Sequence, residues 1–254
     1  MKQIKDIKNK LDWEKYYSPN FDWRNRQFYI DNQLSEDFIE NFKDKVLWKY
    51  ITSTQKLSEN FIEKYQNRMH WQDISWFQDL SESFLEKYKH KVDWLKIFST
   101  QKLSEQFIKK MIKKCRNTVW DWHWRTDIYC TISSSQKLSE DFIREFKSKV
   151  DWTRISRCQT LSENFIREFK DKVYWVDISE YQKLSEDFIK EFKDSVDWDY
   201  ISIHQKLSEN FIREFKDEVE WDYIFEYQEL SPAFKNEFLW VAECVKRARI
   251  SGEF

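Results

Sequence analysis

One phrase, approximately L-S-E-[DN]-F-I-R-E-F-K-D-K-V-D-W-x-x-I-S-x-x-Q-K, is written along this chain eight times, with a ninth copy cut short. Its first letter falls at Leu34, Leu57, Leu80, Leu103, Leu138, Leu161, Leu184, Leu207 and Leu230, in steps of 23 residues except for one of 35 after Leu103. Self-similarity at a short fixed period marks a stacked repeat array and overrides the usual length rule for counting domains. The expectation is therefore an all-α solenoid of about nine to ten short helix pairs. A degenerate capping repeat is expected over residues 1–33, and the array over 34–229 with an insertion near 112–131. A capping helix and tail follow over 230–254.

One repeat carries its own folding instructions. Ser139 precedes an apolar-periodic run and is followed by Glu140 and Asp141, which reads as a helix start: the hydroxyl caps free N–H groups and the acids suit the positive end of the dipole. Phe142, Ile143, Phe146 and Val150 recur at helical spacing, predicting a first helix of about eleven residues. Glu140 and Arg144 form an i,i+4 pair in the favourable order, worth about 0.2–0.5 kcal/mol. Asp151 then caps a shorter second helix carrying Trp152, Ile155, Ser156 and Gln159. So small a unit cannot bury its large side chains alone and needs neighbours on both sides. The ends fit this: the segment 17–21 reads as a worn helix start, and Pro232 suits a first helical position because its missing N–H had no partner there.

Composition removes several function classes. With 43 basic and 45 acidic residues, the chain lacks the basic excess of a general nucleic-acid or membrane-surface binder. The single glycine, Gly252, rules out a glycine-rich phosphate loop. No apolar run approaches the roughly 18 residues of a membrane span, and no signal peptide is visible at the N-terminus. The four cysteines, Cys115, Cys130, Cys158 and Cys244, show no pairing pattern and read as reduced thiols of an intracellular protein. Cys115, Cys130 and His123 lack zinc-site spacing, and Cys158 and His204 fall two repeats apart. No Ser-His-acid or Cys-His set can be defended. The expectation is a non-enzyme with no catalytic residues, no cofactor and no metal.

The phrase at residues 136–152 and 182–198, QKLSEDFI(R/K)EFK(D/S)(K/S)VDW, resembles tandem repeats encoded in large numbers by giant DNA viruses of amoebae. The resemblance covers most of the chain, about residues 33 to 238. It implies a viral protein acting in the host cytoplasm or packaged in the virion, and it implies no catalytic residues. The insertion after Leu103 departs from the family pattern.

Comparison among the copies locates a candidate surface. On a helical wheel, tryptophan, isoleucine and glutamine of the second helix share one bearing and are nearly uniform. The opposite face changes in every copy. It offers Trp76 and Phe77, then Arg154 and Arg157, then Tyr181, Tyr200, His204, Tyr223 and Tyr227. One reading is drift; the other is a diversified protein-binding surface, favoured by aromatics that folding does not need. The glutamine column reads either as a structural ladder satisfying orphan helix-end groups or as a grip on an extended ligand. The insertion groups Lys109, Lys110, Lys113, Lys114 and Arg116, then Trp120, Trp122, Trp124 and Arg125. It reads as a bulged plug of broken stacking, as a protein contact, or as a single-strand nucleic-acid site. Self-association through open array ends is a third route.

Overall fold

Each repeat starts at its serine. In the computed structural model, Ser139 Oγ accepts the N–H of Phe142 at 3.2 Å, and the same bond recurs at Ser35, Ser58, Ser81, Ser104, Ser162, Ser185, Ser208 and Ser231. The glutamate that follows does more than suit the dipole. Glu140 reaches forward one repeat to accept the N–H of Ser162 at 2.7 Å, and Glu209 does the same for Ser231. The Ser231 N–H and hydroxyl hold the Glu209 carboxyl below its ordinary range. Capping thus also links each repeat to the next.

The structure describes residues 5–7, 10–115 and 122–241, with side chains from 13 to 113 and from 128 to 241. The chain divides into two units, Met1–Trp124 and Arg125–Phe254, each an α-solenoid of two-helix repeats. The N-terminal unit holds the pairs Glu36–Asn41 with Trp48–Thr54, Glu59–Lys64 with Trp71–Phe77, and Glu82–Lys87 with Trp94–Thr100, followed by Glu105–Cys115. The C-terminal unit runs from within helix Trp122–Ser135 through the pairs Glu140–Glu145 with Trp152–Cys158, Glu163–Glu168 with Trp175–Tyr181, Glu186–Glu191 with Trp198–His204, and Glu209–Glu214 with Trp221–Tyr227, ending on Pro232–Glu237. No helix among the described residues is long and apolar enough to cross a membrane.

The first helix is shorter than the expected eleven residues. Glu140–Glu145 has six, and Phe146 leaves helical geometry at φ −107°, ψ 19°. A turn then follows, closed by Val150 N–H to Phe146 O at 3.0 Å. The worn helix start expected at 17–21 is also absent. A 3₁₀ helix, Lys10–Tyr17, ends there, and the first α-helix, Arg26–Asp31, is capped by Asn25. A short parallel pairing of Lys5–Ile7 with Asn32–Leu34 is the one sheet among the described residues.

On either side of residues 116–121, which lie outside the described residues, the insertion is helical. Glu105–Cys115 has eleven residues against six, and Trp122–Ser135 has fourteen against seven. The added five and seven residues account for the twelve by which the long step exceeds 23. Tyr129, which is 9% exposed, takes the tryptophan slot of that copy, with its ring 6.1 Å from Phe146.

Rings interlock from repeat to repeat within each unit. Trp152 lies 5.0 Å from Phe169 and donates its indole N–H to Lys147 O at 3.0 Å, in the turn after the first helix of its own repeat. Trp175, Trp198 and Trp221 repeat both contacts. The tryptophans of this column are half-buried lids at Trp48, Trp71, Trp152, Trp175, Trp198 and Trp221 and buried at Trp94, while Phe142, Phe165, Phe188, Ile155, Ile178 and Ile201 are fully enclosed. At the N-terminal end, Trp13, Tyr16 and Trp23 cover Phe38 and Phe42 at 5.0–5.2 Å.

The glutamine column is a ladder, as its structural reading expects. Gln182 accepts the N–H of Leu161 at 3.0 Å and donates to Ser156 O and Gln159 O of the preceding repeat at 2.8 and 2.7 Å. Gln55, Gln78, Gln159, Gln205 and Gln228 repeat the pattern. The serine expected to flank this face is fully buried: Ser156 donates to Trp152 O and accepts the N–H of Tyr174.

An ion-pair ladder joins the seventh residue of one repeat to the eighth of the next, and its polarity differs between the units. In the N-terminal unit the acid comes first: Glu40 pairs with Lys64, Glu63 with Lys87, and Glu86 with Lys110. In the C-terminal unit the base comes first: Arg144 pairs with Glu168, Arg167 with Glu191, Lys190 with Glu214, and Arg213 with Glu237. The end positions of the ladder are neutral, Asn41 and Asn236, and Asn41 donates to the Tyr17 hydroxyl. Each rung adds little by itself, because solvent screens the charges. Acid would face acid, or base face base, if a repeat of one polarity stacked on the other.

Candidate functional site

The buried side of the second helices is fixed by the isoleucine and glutamine just described and by a serine that gives way to Thr52, Phe98 and Phe225 in three copies, so most of the diversity falls on the residues between them. Within the C-terminal unit, helices Trp152–Cys158, Trp175–Tyr181, Trp198–His204 and Trp221–Tyr227 are successive neighbours. Their variable residues form a row on one side. Within the N-terminal unit, Trp48–Thr54, Trp71–Phe77 and Trp94–Thr100 are arranged alike.

The row is less uniformly exposed than an isolated helix would suggest. Tyr181 and Tyr227 are 41% and 53% exposed, as expected of contact residues, but Tyr200 and Tyr223 are half-buried against neighbouring helices. Tyr200 stacks on the exposed His204 at 6.0 Å, and Tyr223 lies 6.2 Å from Tyr227. Arg157 places its guanidinium 5.0 Å from the centre of the Tyr181 ring, and Arg154 lies 3.4 Å from Asp151. In the N-terminal unit Trp76 and Phe77 are 47% and 53% exposed and meet edge to face at 6.3 Å, with Lys96 Nζ 5.0 Å from Trp76.

The basic cluster is partly committed to structure. Lys110 is a rung of the ion-pair ladder with Glu86, Lys109 is half-buried and Lys113 exposed. Arg116 and Trp120 lie outside the described residues. So do the side chains of Lys114, Trp122, Trp124 and Arg125, although the last three fall within helix Trp122–Ser135. Among the described residues no group of three His, Cys, Asp or Glu side chains could hold a metal ion.

Sequence reading missed Tyr174, which is 53% exposed. The signal was available: the cap column reads Asp151, Asp197 and Glu220 but breaks to tyrosine in this copy. Asp177 falls on the same helical-wheel bearing as the variable residues, yet it does not face outward. Asp177 is 6% exposed, and its Oδ2 has no hydrogen-bond partner. Burial pushes its carboxyl above the ordinary range, against the pull of Arg157. A raised carboxyl holds its proton more tightly in the fold than in the unfolded chain. Its contribution is therefore fully present below the ordinary carboxylate range and is lost as pH rises through the raised value. Asp177→Asn should raise stability at neutral pH by about 0.5–2 kcal/mol and flatten the acid side of the stability–pH curve. Urea unfolding at pH 4 and pH 7 reads both, and a less stable variant at pH 7 contradicts the assignment.

No family model, curated protein or solved structure matches this chain.

Proposed function

We propose that this chain is a non-enzymatic scaffold that binds another protein through the variable faces of its second helices. The observation that carries the reading is the set of exposed aromatics on those faces, Trp76, Phe77, Tyr181 and Tyr227, set against an isoleucine and a glutamine that recur unchanged on the buried side of the same repeats. Aromatic side chains on a rigid surface are the usual anchors of protein contact. Each unit supplies such anchors on its own second helices, so binding is spread over shallow contacts. On the resemblance to giant-virus repeats, the partner is a protein of the infected cell or of the virion. The neutral Asn41 and Asn236 at the ends of the charge ladder weigh against growth into a filament.

The test is a triple substitution, Tyr181→Ala, Tyr200→Ala and Tyr227→Ala. Folding should be nearly unaffected, within about 1 kcal/mol, while capture of the partner from infected-cell extract is abolished. Capture equal to that of the unaltered protein, with the melting curve intact, removes the reading.

A further inference from the structure

We propose that the row formed by helices Trp175–Tyr181, Trp198–His204 and Trp221–Tyr227 receives an extended protein segment carrying arginine or lysine at about every third residue. This rests on the protein-binding reading above and adds the chemistry of the partner.

Charge is the first argument. None of the three helices contains a lysine or arginine. Their variable residues include Glu180, Asp199, Asp222 and Glu226, and Asp197 and Glu220 stand at two of their caps. Lys183 and Lys206 lie beyond the helix C-termini, in the connections to the next repeats. The neighbouring helix Trp152–Cys158 carries Arg154 and Arg157 instead. Basicity therefore stops one helix short of this row. The negative charges also crowd one another: the Glu220 carboxyl is pushed up by burial and then by Asp199 and Asp222.

The second argument is a cation seat that the chain already fills. Arg157 sits on the Tyr181 ring, a guanidinium from one helix resting on a tyrosine of the next, and Glu180 is the residue beside that tyrosine. The column that supplies Arg157 continues as Glu180, Ile203 and Glu226, so this chain offers no further cation in the series. The ring column does continue, as His204 and Tyr227, each with a tyrosine of its own helix beside it, Tyr200 and Tyr223. A partner that repeats the guanidinium would extend a pattern begun within the fold, using cation–π attraction and nearby carboxylates together.

The third argument is Asp177, desolvated on the same row with one oxygen lacking a hydrogen donor. Positive charge laid across the row stabilises its ionised form.

Spacing then sets the sequence of the partner. Packed helices lie about 8–10 Å apart, and an extended segment in the polyproline II conformation advances about 3.1 Å per residue with three residues per turn, so every third side chain faces the same way. A segment crossing the row perpendicular to the helices meets a new helix at about every third residue. A cation there matches one acid and one ring per helix.

The experiment uses the full chain and labelled peptides of about twelve residues. One carries arginine at every third position between serines and alanines. A second holds the same residues with the arginines contiguous, and a third replaces arginine by glutamine in the spaced pattern. The spaced peptide should bind at least about tenfold more tightly than the contiguous one, and its affinity should fall with added salt. Glu180→Gln with Asp199→Asn should weaken it by about tenfold without moving the melting temperature. Equal binding of spaced and contiguous peptides, binding of the glutamine peptide, or no response to the double substitution overturns the proposal. If the three-tyrosine variant still loses the natural partner while the spaced peptide fails, the binding face stands and only its assigned chemistry is wrong. If that variant keeps the partner, the reading beneath falls first.

Discussion

Replacing Gln182 with leucine should destabilise the C-terminal unit by about 3 kcal/mol or more. The side chain is 5% exposed, and its amide is the sole link between three backbone groups: the Leu161 N–H and the carbonyls of Ser156 and Gln159. Leucine fills similar space but leaves all three without their side-chain partner. A buried group deprived of its partner costs about 1–3 kcal/mol. Gln182→Glu separates hydrogen bonding from shape. Its second oxygen would face two carbonyl oxygens instead of donating to them. The buried carboxyl would then hold its proton well above the ordinary range, and stability would be best in acid and lost as pH rises through the shifted value. Urea unfolding at pH 4 and pH 7 reads both variants. A loss below about 1 kcal/mol for the leucine variant would show that the ladder is decorative. By comparison, Arg167→Ala removes an exposed rung and should cost no more than about 1 kcal/mol.

The period, the serine caps, the two-helix unit and the amide ladder were legible in the chain because each is written as a residue type at a fixed place. What escaped has physical reasons. The first helix is over-read because Phe146 and Val150 keep helical spacing after the helix has ended; the turn closed by Val150 N–H on Phe146 O has the same four-residue step. The ion-pair ladder joins residues 24 apart, so a search for i,i+4 partners finds Glu140 with Arg144 but not Arg144 with Glu168. Its change of polarity emerges only when the seventh and eighth columns are read together down the copies. A helical wheel separates the variable residues from the isoleucine and glutamine side but makes them uniformly outward, because it knows nothing of the next helix. Neighbours half-bury Tyr200 and enclose Asp177. Tyr129 was missed because the lengthened helices displace the motif around it. Counting back seven places from Gln136 identifies it as the tryptophan equivalent.

Phe188→Ala should strongly destabilise the C-terminal unit, by about 3–5 kcal/mol. The ring is fully buried, lies 4.7 Å from Phe192 and 6.3 Å from Trp175 of the preceding repeat, and has the Arg167 guanidinium 4.9 Å from its centre. Phe→Ala at such a site costs about 3–5 kcal/mol, part lost transfer energy and part cavity. Three kinds of contact converge on this ring, so the preceding indole also loses a surface on which it lies. In a repeat array each unit is held chiefly by its neighbours, so the loss should propagate along the stack before it fades. Hydrogen exchange should show reduced protection first in Glu186–Glu191 and in the helices on either side of it, Trp175–Tyr181 and Trp198–His204. Phe188→Leu, which keeps most of the volume, should cost less than about 1.5 kcal/mol. If alanine and leucine prove equally harmful, shape rather than burial governs the site. If neither lowers the unfolding midpoint, the interlocked rings do not hold the repeats together.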